Sequence, residues 1–93
     1  MPPFTTAYDL RNETGSHDYE PLWKELRRLG GHRTQYSLWL VNVNNTAQQL
    51  HDHLKAYVDN DDRIWVSELT KNHQYSNAIS GTNDWLKSNS PIR

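Results

Sequence analysis

Hydrophobic and polar positions follow two different periods along the first 69 residues. Residues 4–9 are short, apolar and β-branched, which is typical of a strand. Residues 19–29 carry apolar side chains three and four positions apart, so they predict a helix with one apolar stripe. Gly30 and Gly31 follow this stripe and supply the left-handed backbone that ends many helices. The pattern therefore predicts a first strand–helix unit.

The segment from Arg33 to Val43 returns to a period of two and predicts strand structure. Its first half is polar on one face, and a break near residues 35–37 would make two short strands of it. Pattern alone leaves one strand or two open. Thr46 and Gln49 have the spacing of a capping box, which opens a second helix. That helix ends in the acidic turn 59–62, and residues 63–69 form the last clear strand.

With the middle segment split, the predicted element order is βαββαβ. This order is that of the ferredoxin-like plait, an α+β fold with an antiparallel sheet and both helices on one face. Residues 1–69 form the ferredoxin-like domain in this interpretation. Residues 70–93 are polar and predict no clear element, so we expect a partly ordered C-terminal extension. Trp85 and Leu86 indicate that part of this extension docks on another surface.

Composition narrows the class of protein. The 93 residues make one small domain, and the absence of cysteine excludes disulfides and thiolate metal sites. No apolar run approaches the roughly 18 residues of a membrane span, and residues 1–4 lack the form of a signal peptide. We therefore expect a cytoplasmic protein without a membrane partner. The net charge of −1 means that any nucleic-acid binding is local, metal-assisted or partner-dependent. A small domain rich in aromatic residues also favours a homodimer.

The end of the first strand carries the candidate chemistry. Asp9 is a candidate ligand for magnesium, which prefers oxygen and usually takes one or two protein carboxylates. Arg11 and Arg33 could clamp a phosphate, Ser37 could contact one, and Tyr8 could stack on a base. Each has a structural alternative. Asp9 could form a turn, the arginines could form surface ion pairs, Ser37 could satisfy the bend, and Tyr8 could belong to the core or a dimer interface.

Other metal and phosphate sites find no support in the sequence. His51 and His53 are two residues apart on the predicted helix, so they point in nearly opposite directions and cannot share a metal. The acidic turn lacks the glycine and the distal glutamate of a calcium hand. Gly30 and Gly31 follow a helix rather than a strand, unlike a phosphate-binding loop.

The order and spacing of these motifs resemble a known family. Tyr8-Asp9 closes the first strand, the first helix ends in glycine, and Arg33, Gln35 and Ser37 precede Leu38-Trp39. This combination is similar to the small CRISPR-associated Cas2 adaptation proteins and to stand-alone relatives such as the virulence-associated protein D toxins. The resemblance covers about residues 4–69.

The resemblance implies a ferredoxin-like homodimer in which the two copies of Asp9 face each other and share a divalent metal. It implies metal-dependent endonuclease activity on RNA or DNA, with Asp9 as catalytic residue and magnesium or manganese as cofactor. In CRISPR systems it implies instead a structural dimer that bridges two integrase subunits.

Two functions are therefore expected from the sequence. The first is the metal-dependent endonuclease. The alternative is a non-catalytic dimeric scaffold that binds a protein partner or nucleic acid, because residues 16–21 are not basic and the C-terminal extension is unlike the usual family ending. A small-molecule-sensing plait is a third reading, and it would need a ligand pocket.

Overall fold

The computed structural model describes residues 2–9, 19–60 and 62–93. Its strands and helices follow in the predicted order, with one helix added at the end. A short 3₁₀ turn, Lys55–Tyr57, follows the second helix. The elements are β1 (Pro3–Asp9), α1 (Glu20–Arg28), β2 (His32–Gln35), β3 (Leu38–Asn42), α2 (Ala47–Leu54), β4 (Arg63–Glu68) and α3 (Thr82–Ser88).

The four strands form one antiparallel sheet in the order β2-β3-β1-β4. The predicted α+β class and antiparallel sheet are confirmed, and the strand order is compatible with a ferredoxin-like plait. The open question about residues 33–43 is settled in favour of two strands. β2 and β3 are joined by a turn at Tyr36 and Ser37, and their register shifts between Arg33 and Gln35.

Both α1 and α2 pack on one face of the sheet, as predicted. Alternate residues of the central strands point toward the helices because side chains alternate between the two faces of a strand. The resulting core holds residues from β1, β3, the segment after β3, α1 and α2: Phe4, Tyr8, Leu22, Leu26, Trp39, Val41, Val43, Leu50 and Leu54. Side chains at the other positions of β1, such as Thr5 and Ala7, lie on the opposite face, which we call the open face.

The C-terminal segment, which we expected to be partly ordered, contains a helix. The sequence analysis did not predict this helix, α3, and the segment packs against β2 and the open face. Thr82 is 3% exposed, and its hydroxyl is 2.9 Å from His32 Nε2 and 3.0 Å from Thr34 Oγ1. The indole Nε1 of Trp85 donates to the carbonyl of Gly30 at 3.1 Å. These contacts cover the open face beside β2 and β3 and leave β1 and β4 more accessible.

No helix in residues 2–9, 19–60 and 62–93 is both long enough and apolar enough to cross a membrane.

Candidate functional site

Three parts of the chain meet at one end of the sheet. They are the end of β1, the β2–β3 turn and the start of β4. The amide of Tyr8 donates to the carbonyl of Ser37 at 3.2 Å, and Asp9 lies opposite Arg63 in the β1–β4 register. This meeting follows from the strand order, because β1 lies between β3 and β4 and runs antiparallel to both.

Asp9 projects from the open face at this end. Phe4, Thr6 and Tyr8 alternate toward the helices, so Asp9 falls on the other side of β1. Its side chain is 65% exposed, and Oδ2 is 3.3 Å from Nη1 of Arg63, which is equally exposed. An exposed ion pair of this kind stabilises a fold by at most about 1 kcal/mol. The carboxylate is therefore accessible and only weakly held.

Tyr8 is buried, with 5% of its surface exposed. Its hydroxyl accepts from the indole Nε1 of Trp23 at 2.7 Å and of Trp39 at 3.3 Å, and it donates to the carbonyl of Tyr36 at 3.3 Å. The buried ring therefore has no accessible face for stacking on a base. Its hydroxyl instead forms hydrogen bonds to α1, to β3 and to the β2–β3 turn. Tyr8 therefore connects these three elements at the position next to Asp9.

Arg33 reaches toward the same turn from β2. Its Nε and Nη2 donate to the carbonyl of Tyr36 at 3.1 and 2.9 Å. The guanidinium carbon lies 4.7 Å from the ring centre of Trp23 and 4.9 Å from that of Tyr36. Stacking of a guanidinium on aromatic rings is favourable and fixes its orientation. Arg33 is therefore held in place at the Asp9 end of the sheet.

The structure places Tyr8, Asp9, Arg33 and Ser37 at one end of the sheet. Tyr8 and Arg33 lie on the side of the helices, and Asp9 lies on the open face. Arg11 lies outside the described residues. The assignment of all five to metal or nucleic-acid binding stays a prediction.

Sequence reasoning missed two residues of this end, Arg63 and Tyr36. A signal for Arg63 exists, because it opens the last strand and an antiparallel β1–β4 pair places that start beside the end of β1. Tyr36 could have been found as the aromatic residue inside the polar break between the two short strands.

Among the described residues, Asp9 is the carboxylate that lines this end of the sheet. In residues 2–9, 19–60 and 62–93, no group of three or more histidine or acidic side chains could hold a metal. An exposed carboxylate nevertheless suits magnesium, which binds through one or two carboxylates and keeps several of its waters. The exposed Asp9 carboxylate is thus a donor of the kind that magnesium accepts.

These features define a small α+β protein with a plait-like sheet and an accessible carboxylate at the end of a central strand. The family described as CRISPR associated protein Cas2 has a model that matches residues 4–77. The chain therefore belongs to the Cas2 family, and the resemblance seen in the sequence is confirmed. The match extends past residue 69 into the C-terminal segment. No solved structure matches the chain.

Proposed function

We propose that this Cas2 family member is a metal-dependent endonuclease that acts on RNA or DNA as a homodimer. The observation that carries this proposal is the position of Asp9, exposed on the open face where a central strand ends. The paired carboxylates of two protomers would hold one magnesium ion, for which manganese can substitute. Such a metal supplies an activated water and neutralises charge on the phosphate.

An accessible apolar side chain beside Asp9 supports the dimer. Trp65 is 71% exposed and lies opposite Ala7 in the register, on the same face as Asp9 and Arg63. An exposed tryptophan on a sheet face is a typical anchor of a protein interface. A two-fold axis that buries Trp65 against its copy would bring the two Asp9 carboxylates toward each other. A cation between them would then offset their repulsion.

Arg33 in β2 and Ser37 in the β2–β3 turn would bind the substrate. Arg33 offers a fixed guanidinium for a phosphate oxygen, and Ser37, whose backbone carbonyl accepts from the Tyr8 amide, would add its hydroxyl. Arg11 would add a second cation two residues after Asp9. In this proposal Tyr8 acts through its hydrogen bonds, which position the turn relative to Asp9.

A nuclease assay tests the proposal. Wild type and Asp9→Asn are compared on single- and double-stranded RNA and DNA, with magnesium, with manganese and with excess EDTA. We expect cleavage by the wild type only, and only with metal, while Asp9→Asn stays a folded dimer. Asp52→Asn is the matched control, because Asp52 is an equally exposed carboxylate on α2. Equal cleavage by wild type and Asp9→Asn, or activity in EDTA, would contradict the proposal.

A non-catalytic scaffold is the second candidate function. It is favoured by Asp9 being the one carboxylate that the described part of the chain places at this site, and by its ion pair with Arg63. In a CRISPR system this dimer would bridge two integrase subunits. The scaffold predicts co-purification with the integrase subunit and no cleavage with any divalent ion. Metal-dependent cleavage that is lost in Asp9→Asn would exclude it as the sole function.

A further inference from the structure

The β2–β3 turn carries an aromatic ring that a ligand can reach. Tyr36 is 72% exposed, whereas the neighbouring rings of Tyr8 and Trp39 are 5% and 4% exposed. Exposed aromatic rings beside cationic side chains are the usual platforms for unpaired bases. Trp65, the other exposed ring at this end of the sheet, is the contact of the proposed dimer, so the ring left for stacking beside the β2–β3 turn is that of Tyr36.

The backbone of Tyr36 is held by one core side chain, that of Tyr8, and by Arg33 of β2. Its carbonyl accepts from the hydroxyl of Tyr8 and from Nε and Nη2 of Arg33, at 3.3, 3.1 and 2.9 Å. A residue that is already held loses less conformational entropy when a ligand binds. The exposed ring of Tyr36 is thus anchored rather than carried on a free loop.

Arg33 completes the arrangement. Its guanidinium lies against one face of the Tyr36 ring, with the Trp23 ring as a second neighbour, and the high exposure of Tyr36 leaves its other face to solvent. A guanidinium has five N–H donors, and Arg33 uses its Nε and Nη2 on the Tyr36 carbonyl. Within the described residues its Nη1 donates to no acceptor. An anchored ring and an available phosphate donor therefore lie side by side.

We propose that Tyr36 and Arg33 together bind one nucleotide whose base is unpaired. The base stacks on the open face of Tyr36, and its phosphate accepts hydrogen bonds from the free edge of Arg33. A base inside a duplex is covered on both faces by its neighbours, so this unit takes single strands or frayed ends. Stacking accepts every base, so sequence preference is weak. The inference rests on the proposed nucleic-acid function. It specifies that the site binds unpaired nucleotides in single strands or frayed ends.

The test is fluorescence anisotropy with labelled oligonucleotides in EDTA, which prevents metal-dependent cleavage. The probes are a single strand, an abasic strand of equal length and a blunt duplex, each as DNA and as RNA. Wild type should bind the base-containing strand more tightly than the abasic strand or the duplex. Tyr36→Ala should weaken binding of the base-containing strand by about tenfold and leave the abasic strand unchanged.

Two further variants separate stacking from charge. Tyr36→Phe keeps the ring and should bind like the wild type, while Arg33→Ala should weaken binding of both strands. Circular dichroism checks that each variant is folded, and the carbonyl that accepts the three hydrogen bonds is unchanged by substitutions at Tyr36.

Three results would overturn the inference. They are unchanged affinity of Tyr36→Ala, equal weakening of both strands by that variant, or tighter wild-type binding of the duplex. Each of these leaves the proposed function standing if Asp9-dependent cleavage persists. Absence of all nucleic-acid binding by the wild type in EDTA would also overturn the inference, and the proposed function would then be decided by the metal-dependent cleavage assay alone.

Discussion

Asp9 and Arg63 lie opposite each other in the β1–β4 register, with 3.3 Å between Oδ2 and Nη1. Both side chains are 65% exposed, so solvent screens their attraction and the pair adds little to stability. Arg63 therefore acts as a weak, replaceable counter-ion for Asp9. A metal that binds Asp9 must compete with this guanidinium.

Replacing Arg63 tests this competition. If Asp9 binds magnesium as proposed, Arg63→Gln should raise the affinity of the protein for magnesium by up to about fivefold, because an exposed ion pair contributes at most about 1 kcal/mol. Isothermal titration calorimetry measures the change. Arg27→Gln is the control, since the Arg27–Glu20 pair is similarly exposed and 3.4 Å long. A lower affinity in Arg63→Gln would show that Arg63 supports the bound state rather than competing with it.

Trp65 provides a test of the proposed dimer. Trp65→Lys places a charge on the open face, so it should weaken dimerisation by at least about 2 kcal/mol, or roughly thirtyfold in the dissociation constant. Sedimentation equilibrium measures that constant. The thermal midpoint of the protomer should change little, because Trp65 is 71% exposed. Ile92→Lys, at a position that is 60% exposed, is the control. A dimer of unchanged strength would place the interface elsewhere.

Much of the fold could be predicted from the sequence because its signals are local. The period of two in residues 4–9 and the spacing of Leu22 and Leu26 each identify an element within a few residues. The break at Tyr36 and Ser37 could not be decided, because an alternating pattern fits one strand or two. α3 was missed because its apolar residues, Trp85 and Leu86, are adjacent and form no helical stripe. Its contacts are with residues far away in the chain.

The candidate site was predictable only where its residues carry a local sequence signal. Asp9 is visible as the carboxylate that ends a strand. Its partner Arg63 is 54 positions away and depends on the β1–β4 register, which no local pattern specifies. The burial of Tyr8 likewise depends on Trp23 and Trp39, which come from separate elements. The pairing of Asp9 with Arg63 and the burial of Tyr8 both depend on how distant elements pack, and local sequence patterns do not specify that packing.

Tyr8 should behave as a structural residue. Tyr8→Phe removes the oxygen that accepts from the Trp23 and Trp39 indoles, and it leaves the buried Trp39 N–H without its partner. We expect the free energy of unfolding to fall by about 1–3 kcal/mol, measured by urea denaturation. Tyr36→Phe should change it little, because that ring is exposed. Full stability of Tyr8→Phe with weaker oligonucleotide binding would instead indicate a direct contact with nucleic acid.

Thr82 should hold the C-terminal segment on the sheet. Its hydroxyl donates to the carbonyl of Ile79 at 2.7 Å and contacts His32 and Thr34 in a buried position. Thr82→Val keeps the shape but removes these hydrogen bonds, so stability should fall by about 1–3 kcal/mol. In Thr82→Val, amide hydrogen exchange should become faster in α3 than in wild type, while exchange in β1 should change less. Thr70→Val, at an exposed position, is the control. Equal exchange rates in wild type and Thr82→Val would contradict this role.

Glu25 joins the two helices through a buried charge. The carboxylate is 5% exposed and accepts from Arg28 Nε at 2.7 Å and Nη2 at 2.6 Å, while Nε2 of His53 on α2 lies 2.5 Å from Oε2. The hydrogen bonds from Arg28 are the main reason that the pKa of Glu25 falls from 4.5 to about 2. Burial acts in the opposite direction and raises the pKa, and the hydrogen bond with His53 lowers it further. The folded state therefore favours the ionised carboxylate.

The lowered pKa of Glu25 predicts a loss of stability in acid. Because the pKa is lower in the folded state, its stabilising effect is complete above pH 4.5 and is lost as the pH falls toward about 2. The free energy of unfolding should drop by about 2 kcal/mol between pH 5 and pH 3, measured by urea denaturation. Glu25→Gln should flatten this dependence and cost about 1–3 kcal/mol at pH 7. Glu20→Gln, at an exposed position, should keep the wild-type slope. An unchanged slope in Glu25→Gln would show that another carboxylate controls acid unfolding.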